Sequence, residues 1–205
     1  MNNDPKYDRD KLVELLSERA TFEKSAVGLY DALLDSLEQI DDDELVAARE
    51  KLEQCRDEEQ EHADWLDDLL ERLGGHPAHA MSEAVVRESR AIEQVIRTKP
   101  DGAGPLPMVY AMLSAELMDA EGWNLLLELA DALDDAPAVR ELRKRAEHES
   151  EHLELIRHLA LTLAKRAVEF HETDAETQLS GLGRSSGRRR VVTASRRRAQ
   201  AGSGR

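Results

Sequence analysis

Four apolar seams run through this chain, and each is broken near its middle by a glutamate. Traced at a seven-residue step, the first reads Leu16, Glu23, Tyr30, Leu37. The second reads Leu45, Leu52, Glu59, Leu66, Leu73, flanked by Ala48, Cys55, His62, Leu69. The third is Val109, Glu116, Trp123, Ala130. The fourth is Leu142, Glu149, Ile156, Leu163, flanked by Arg145, His152, Leu159. A seven-residue step is two turns of helix, so each seam is the buried stripe of a helix. A buried carboxylate without a partner costs several kcal/mol. Four of them aimed at one core need positive charge among them.

The spacing of apolar residues predicts long helices over about Asp8–Ile40, Asp43–Leu73, Pro107–Leu133 and Pro137–Glu172. Asp41, Asp42 and Asp43 are N-cap candidates for the second, and Gly74-Gly75 closes it. Residues 74–106 hold several Gly and Pro, with a short helix expected at Ser82–Arg97. The links between the first and second helices and between the third and fourth are short. The 2–3 link is long enough to carry the chain back along a bundle. The expected fold is all-α: a four-helix bundle with a long 2–3 crossover holding a short extra helix. The expected domains are 1–175 for the bundle and 176–205 for a disordered, Arg-rich tail.

The two halves repeat. Glu23 aligns with Glu116, Tyr30 with Trp123, and Glu59-Gln60-Glu61-His62 with Glu149-Ser150-Glu151-His152. With 43 acids in 205 residues, a Glu-x-x-His spacing arises easily by chance. A run such as Asp57-Glu58-Glu59-Gln60-Glu61 is usually a solvated face. The coincidence of seam position, duplication and an upstream seam Glu in both halves outweighs that. A pair of divalent metals is the economical way to tolerate four converging carboxylates.

Composition narrows the field. Aromatics make up 3% and charged residues 35%, as in long helices rather than a β-sandwich. The single cysteine, Cys55, excludes an internal disulfide and a cysteine zinc site. No secretory signal and no membrane span are expected, so the expected location is cytoplasmic. Residues 181–205 carry eight arginines and no acid, so the net −15 of the chain hides −23 on residues 1–180. Such a body repels nucleic acid and attracts cations.

Four helices, one long crossover and the pattern Glu…Glu-x-x-His…Glu…Glu-x-x-His resemble the ferritin-like di-metal carboxylate superfamily, over about residues 8–172. The motif looks most like bacterioferritin and rubrerythrin-type sites, and the whole chain is similar to an uncharacterised bacterial ferritin-like family. The resemblance implies Glu23 and Glu116 as terminal ligands, Glu59 and Glu149 as bridging carboxylates, and His62 and His152 as one imidazole per metal. It implies two Fe ions, with Mn as the alternative, and oxidation of Fe(II) by O2 or H2O2. Gln60 stands where bacterioferritin has its haem-binding Met, so no haem is expected. The four-cysteine rubredoxin module of rubrerythrin has no counterpart here. The longer crossover argues against a 24-subunit cage, and a homodimer is one assembly open to the chain.

Further candidates surround these six. Asp119 lies on the face of Glu116, at the offset of a second rubrerythrin carboxylate, and reads more readily as a solvated acid or salt-bridge partner than as a seventh ligand. Tyr30 is either a packed core residue or a catalytic neighbour that holds a ligand or gives an electron. Trp123 and Cys55 read as core. Arg145, one turn before Glu149, could neutralise a carboxylate. His76 and His79 read as surface residues, and His148, His158 and His171 lie off the seam. The tail could bind phosphate backbones weakly, meet a shell protein, or fold back on the acidic body. The expected function is a di-iron protein that oxidises Fe(II) in iron or oxidative-stress detoxification. The alternatives are a manganese catalase and a non-catalytic helical-bundle stress protein acting through its basic tail.

Overall fold

The computed structural model describes residues 7–75, 80–98, 104–133 and 135–182, with side chains at all of these but 80–82 and 170–182. Every regular element among them is helical: α1 (Arg9–Leu37), α2 (Asp43–Arg72), α3 (Ala80–Arg97), α4 (Leu106–Glu128) and α5 (Ala136–Leu182), with one 3₁₀ turn at Ala130–Ala132. The chain divides into two compact units, residues 1–165 and 166–205. The first holds α1 to α4 and the body of α5. The described part of the second is the last stretch of α5.

Local chemistry sets the helix ends. The Asp8 carboxylate accepts hydrogen bonds from the backbone N–H groups of Asp10 and Lys11, and Asp42 accepts from Glu44 and Leu45. Each cap satisfies donors that the first helical turn leaves free. Of the three aspartates at 41–43, Asp42 is therefore the cap. Gly74, with φ of 70°, turns the chain out of α2 in a conformation that a side chain would strain.

The direction of the helices follows from their contacts. Lys24 pairs with Asp67, Asp31 with Arg56 and Glu38 with Arg49, so α1 and α2 run antiparallel. Glu44 meets His158 and Glu58 meets His152, so α2 and α5 also run antiparallel. The crossover is what permits this order. Its helix α3 packs on α1 and α4, burying Ile96 and pairing Arg97 with Asp35.

All the seam residues except the half-buried Leu73 are buried. The apolar core forms two clusters. One gathers Leu29, Leu33, Leu45, Leu52, Met112 and Ile156, and the other Leu16, Leu66, Leu70, Trp123 and Leu142. The glutamates and histidines of the seams lie between them along the helices.

Three expectations change. α4 stops at Glu128 rather than Leu133, where the chain tightens into the 3₁₀ turn. α1 stops at Leu37, because the following residues turn toward the Asp42 cap. α5 runs to Leu182, past the expected end near Glu172. No Gly or Pro interrupts residues 138–180. The expected disorder and partners of the arginine-rich tail at 183–205 fall outside the described residues, as do His76 and His79.

Loss of the α2 cap is measurable. Asp42→Ala should lower unfolding free energy by about 1 kcal/mol, and Asp42→Asn should retain most of it, in urea titrations followed by circular dichroism.

Candidate metal centre

The six seam residues meet. Glu23 and Glu116 come from α1 and α4, Glu59 and His62 from α2, and Glu149 and His152 from α5. All six are buried. They form two interlocking groups: Glu23, Glu59, His62, Glu149, and Glu59, Glu116, Glu149, His152. Within each group one donor atom per residue lies within 4.8 Å of the others. Glu59 and Glu149 belong to both groups. Each remaining glutamate has one histidine beside it.

The geometry at the histidines is orderly. Nδ1 of His62 lies 2.7 Å from Glu149 Oε1 and 3.4 Å from Glu23 Oε2. Nδ1 of His152 lies 3.2 Å from Glu59 Oε1 and 3.6 Å from Glu149 Oε2. Both rings therefore turn Nδ1 toward the carboxylates. Their Nε2 atoms face outward across the α2–α5 interface, His152 to Glu58 Oε2 at 2.8 Å and His62 to His148 Nδ1 at 3.3 Å. Such outer bonds fix the ring and its tautomer.

The charge balance shows what the centre lacks. Burial first, and then the charge of Glu149, push the Glu116 carboxyl up to about 8. The same two causes hold Glu59 well above the carboxylate range. Burial opposes ionisation of Glu149 too, but hydrogen bonds from His152 and His62 outweigh it and hold it at about 2. Burial likewise opposes charge on His62, yet its bonds to Glu149 and Glu23 raise it. One or both carboxylate oxygens of Glu23, Glu59, Glu116 and Glu149 accept no hydrogen bond of full geometry. Buried oxygens without well-aligned donors, beside imidazole nitrogens, fit hard or borderline divalent cations such as Fe(II) or Mn(II).

One cation is already built in, and the seam pattern did not reveal it. Arg19, 6% exposed, lies one turn before Glu23 on α1. Its Nε pairs with Glu23 Oε1 at 2.6 Å and its Nη2 with Asp119 Oδ1 at 2.9 Å. Nη1 donates to the Asp119 carbonyl oxygen, and the guanidinium lies over the Phe22 ring. Gly122 leaves the space, since a β-carbon there would collide with Nη1. Trp123, expected as plain core, donates Nε1–H to Glu23 Oε1 at 3.0 Å. Glu23 Oε1 is thus engaged, while Oε2 faces His62.

Asp119 is buried and engaged by Arg19, rather than solvated, and neither donor group includes it. Arg145 pairs with Glu141 and lies over Trp65, with no ion pair to Glu149 among the described contacts. Tyr30 is buried, edge-on to His152. Its hydroxyl makes no hydrogen bond of full geometry, yet lies near enough to Glu116 to help hold that carboxyl down. His148 lies off the seam but stacks on His62, and Glu58 leaves its acidic run to support His152. Their shared signal is the repeat itself, because Glu58 precedes Glu59 as His148 precedes Glu149. His158 stays exposed.

Two tests follow from the charges. Arg19→Gln leaves Asp119 and Glu23 uncompensated and should cost about 3–5 kcal/mol in chemical denaturation, as expected for a broken buried pair. The metal-free protein should also lose stability as pH rises from 4.5 to 8, because folded Glu116 keeps a proton that the unfolded chain releases in that window. His62, raised above its usual 6.5, acts in the same direction. The depressed Glu149 acts oppositely, and its contribution disappears only as pH falls from 4.5 toward 2. Thermal unfolding across this range reads the slope, and Glu116→Gln should flatten it.

The model of the rubrerythrin family matches residues 14–160, a span that includes all six residues. No curated protein and no solved structure matches the chain. With the family match covering most of its length, the chain belongs to the rubrerythrin family, a ferritin-like family of di-metal carboxylate proteins.

Proposed function

We propose that Glu23, Glu59, His62, Glu116, Glu149 and His152 hold two iron ions, and that the protein oxidises Fe(II) with hydrogen peroxide in preference to dioxygen. The observation that carries this reading is the pair of interlocking donor groups that share Glu59 and Glu149. Glu59 and Glu149, which belong to both groups, would be shared by the two ions, and Glu23 with His62, and Glu116 with His152, would complete one position each. When bound, the iron pair supplies the two electrons that, with two protons, convert hydrogen peroxide to two molecules of water.

The protein's own part is positioning, proton handling and exclusion of water. His62 and His152 release their Nδ1 protons as cations bind, while Nε2 stays fixed by His148 and Glu58. Arg19 and Trp123 hold one oxygen of Glu23 and leave the other free to ligate. Tyr30 acts as the catalytic neighbour. Burial, and next the charge of Glu116, hold its hydroxyl well above the usual tyrosine range, so it stays protonated and offers a hydrogen bond from Oη to a ligand of the site. The apolar clusters on either side exclude bulk water.

Among the described residues, no helix is long and apolar enough to cross a membrane. A reducing cytoplasm suits ferrous iron, and we place the protein there.

Elemental analysis of protein purified without added metal should find about two Fe per chain. The double change Glu59→Ala and Glu149→Ala should abolish binding of that pair, and unchanged stoichiometry would sink the assignment. Manganese instead of iron would favour a catalase. Stopped-flow oxidation of the Fe(II)-loaded protein, with each oxidant in turn, tests the reaction. Rates no faster than those of free Fe(II) for both oxidants would rule out the proposed activity.

A further inference from the structure

A third group of donors lies outside the two that share Glu59 and Glu149. Cys55 Sγ, a Glu58 carboxylate oxygen and a His152 ring nitrogen lie within 4.8 Å of one another. Cys55 and His152 are buried, and Glu58 is half-buried. All three line a cavity of about 450 Å³ between α2 and α5. Its other polar walls include Glu151, Glu154 and His158 on α5 and Lys51 on α2, all exposed. The cavity therefore joins solvent to three donors of three different kinds.

Helix geometry explains the grouping. Cys55 and Glu58 are three residues apart and share a face of α2. His152 reaches them from α5 with Nε2, 2.8 Å from Glu58 Oε2, while its Nδ1 points inward to Glu59. Cys55 is in no disulfide and is the sole thiol of the chain. A small core residue would pack as well at this position. A thiol beside a carboxylate and an imidazole, at the end of an open cavity, adds a donor set that packing does not need.

We propose that Cys55, Glu58 and His152 form a third cation position, on the solvent side of the buried pair. It takes a divalent metal that accepts a thiolate together with oxygen and nitrogen donors, such as Co(II), Zn(II) or Fe(II). On binding, the Cys55 S–H bond breaks, a sulfur–metal bond forms and the proton leaves to solvent. The Nε2 proton of His152 leaves likewise as Glu58 changes from its hydrogen-bond acceptor to a fellow ligand, whereas with the outer position empty Nε2 keeps its bond to Glu58. No electron is transferred. Water from the cavity completes the coordination.

Co(II) is a direct probe, because a thiolate ligand adds a near-ultraviolet charge-transfer band that carboxylates and imidazoles do not produce. Titration of the metal-free full chain should develop this band. Cys55→Ser should abolish it and leave the visible absorption of Co(II) at the inner positions unchanged. Glu58→Gln should weaken the affinity read from the band by about 10- to 100-fold, the usual effect of losing such a partner. The variant Glu59→Gln with Glu149→Gln should keep the band, so the outer position and the proposed iron pair stand or fall separately. Failure of the wild-type chain to show the band at saturating Co(II) overturns the proposal. So does a band whose affinity Glu58→Gln leaves unchanged.

Discussion

A layer of buried charge between two apolar clusters governs this structure. Five carboxylates, those of Glu23, Glu59, Glu116, Asp119 and Glu149, are withdrawn from water in the bundle interior. Arg19 is the guanidinium that meets two of them, and the protonated imidazoles of His62 and His152 meet others in the metal-free chain. The layer is thus part ion pair and part proton-stabilised acid. An interior of this kind tolerates protons or metal cations in the same place, because each supplies the positive charge that the carboxylates lack.

The repeat organises the layer by exchange between halves. Tyr30 belongs to the first half and lies beside Glu116 of the second, while Trp123 of the second donates to Glu23 of the first. Glu58 supports His152, and His148 supports His62. Neither helix pair completes a donor group alone. Closing the layer therefore requires both halves to dock, which ties the chemistry of the centre to the assembly of the bundle.

The exchange is not symmetric, and the differences have physical effects. His152 is backed by a carboxylate, which raises its basicity, whereas His62 is backed by a second imidazole held neutral chiefly by its burial. Glu23 shares an oxygen with Arg19 and Trp123, whereas Glu116 has the His152 ring and the Tyr30 hydroxyl nearby and no guanidinium among the described contacts. The two cation positions proposed here accordingly differ in charge and in hydrogen bonding, although the sequence repeat makes their six residues equivalent.

Much of this was legible in the sequence, for a definite reason. Helix periodicity is local, so the seams at Leu16–Leu37, Leu45–Leu69, Val109–Ala130 and Leu142–Leu163 emerge from spacing alone, with their interrupting Glu and His residues. The Asp41–Asp43 cap candidates and Gly74-Gly75 placed the ends of α2 for the same reason. What spacing could not decide was which side chains meet across helices. Arg19 lies off the traced seam, and its burial depends on the space above Gly122, on a helix a hundred residues away. Arg145 lies on the seam, yet turns to Glu141 and Trp65. His148 and Glu58 gain partners only when α2 and α5 lie antiparallel at one register. Periodicity determined which residues face the core. The three-dimensional docking of the helices decided which of them share a charge, because a salt bridge or a ligand group depends on distances of a few ångströms between segments far apart in the chain.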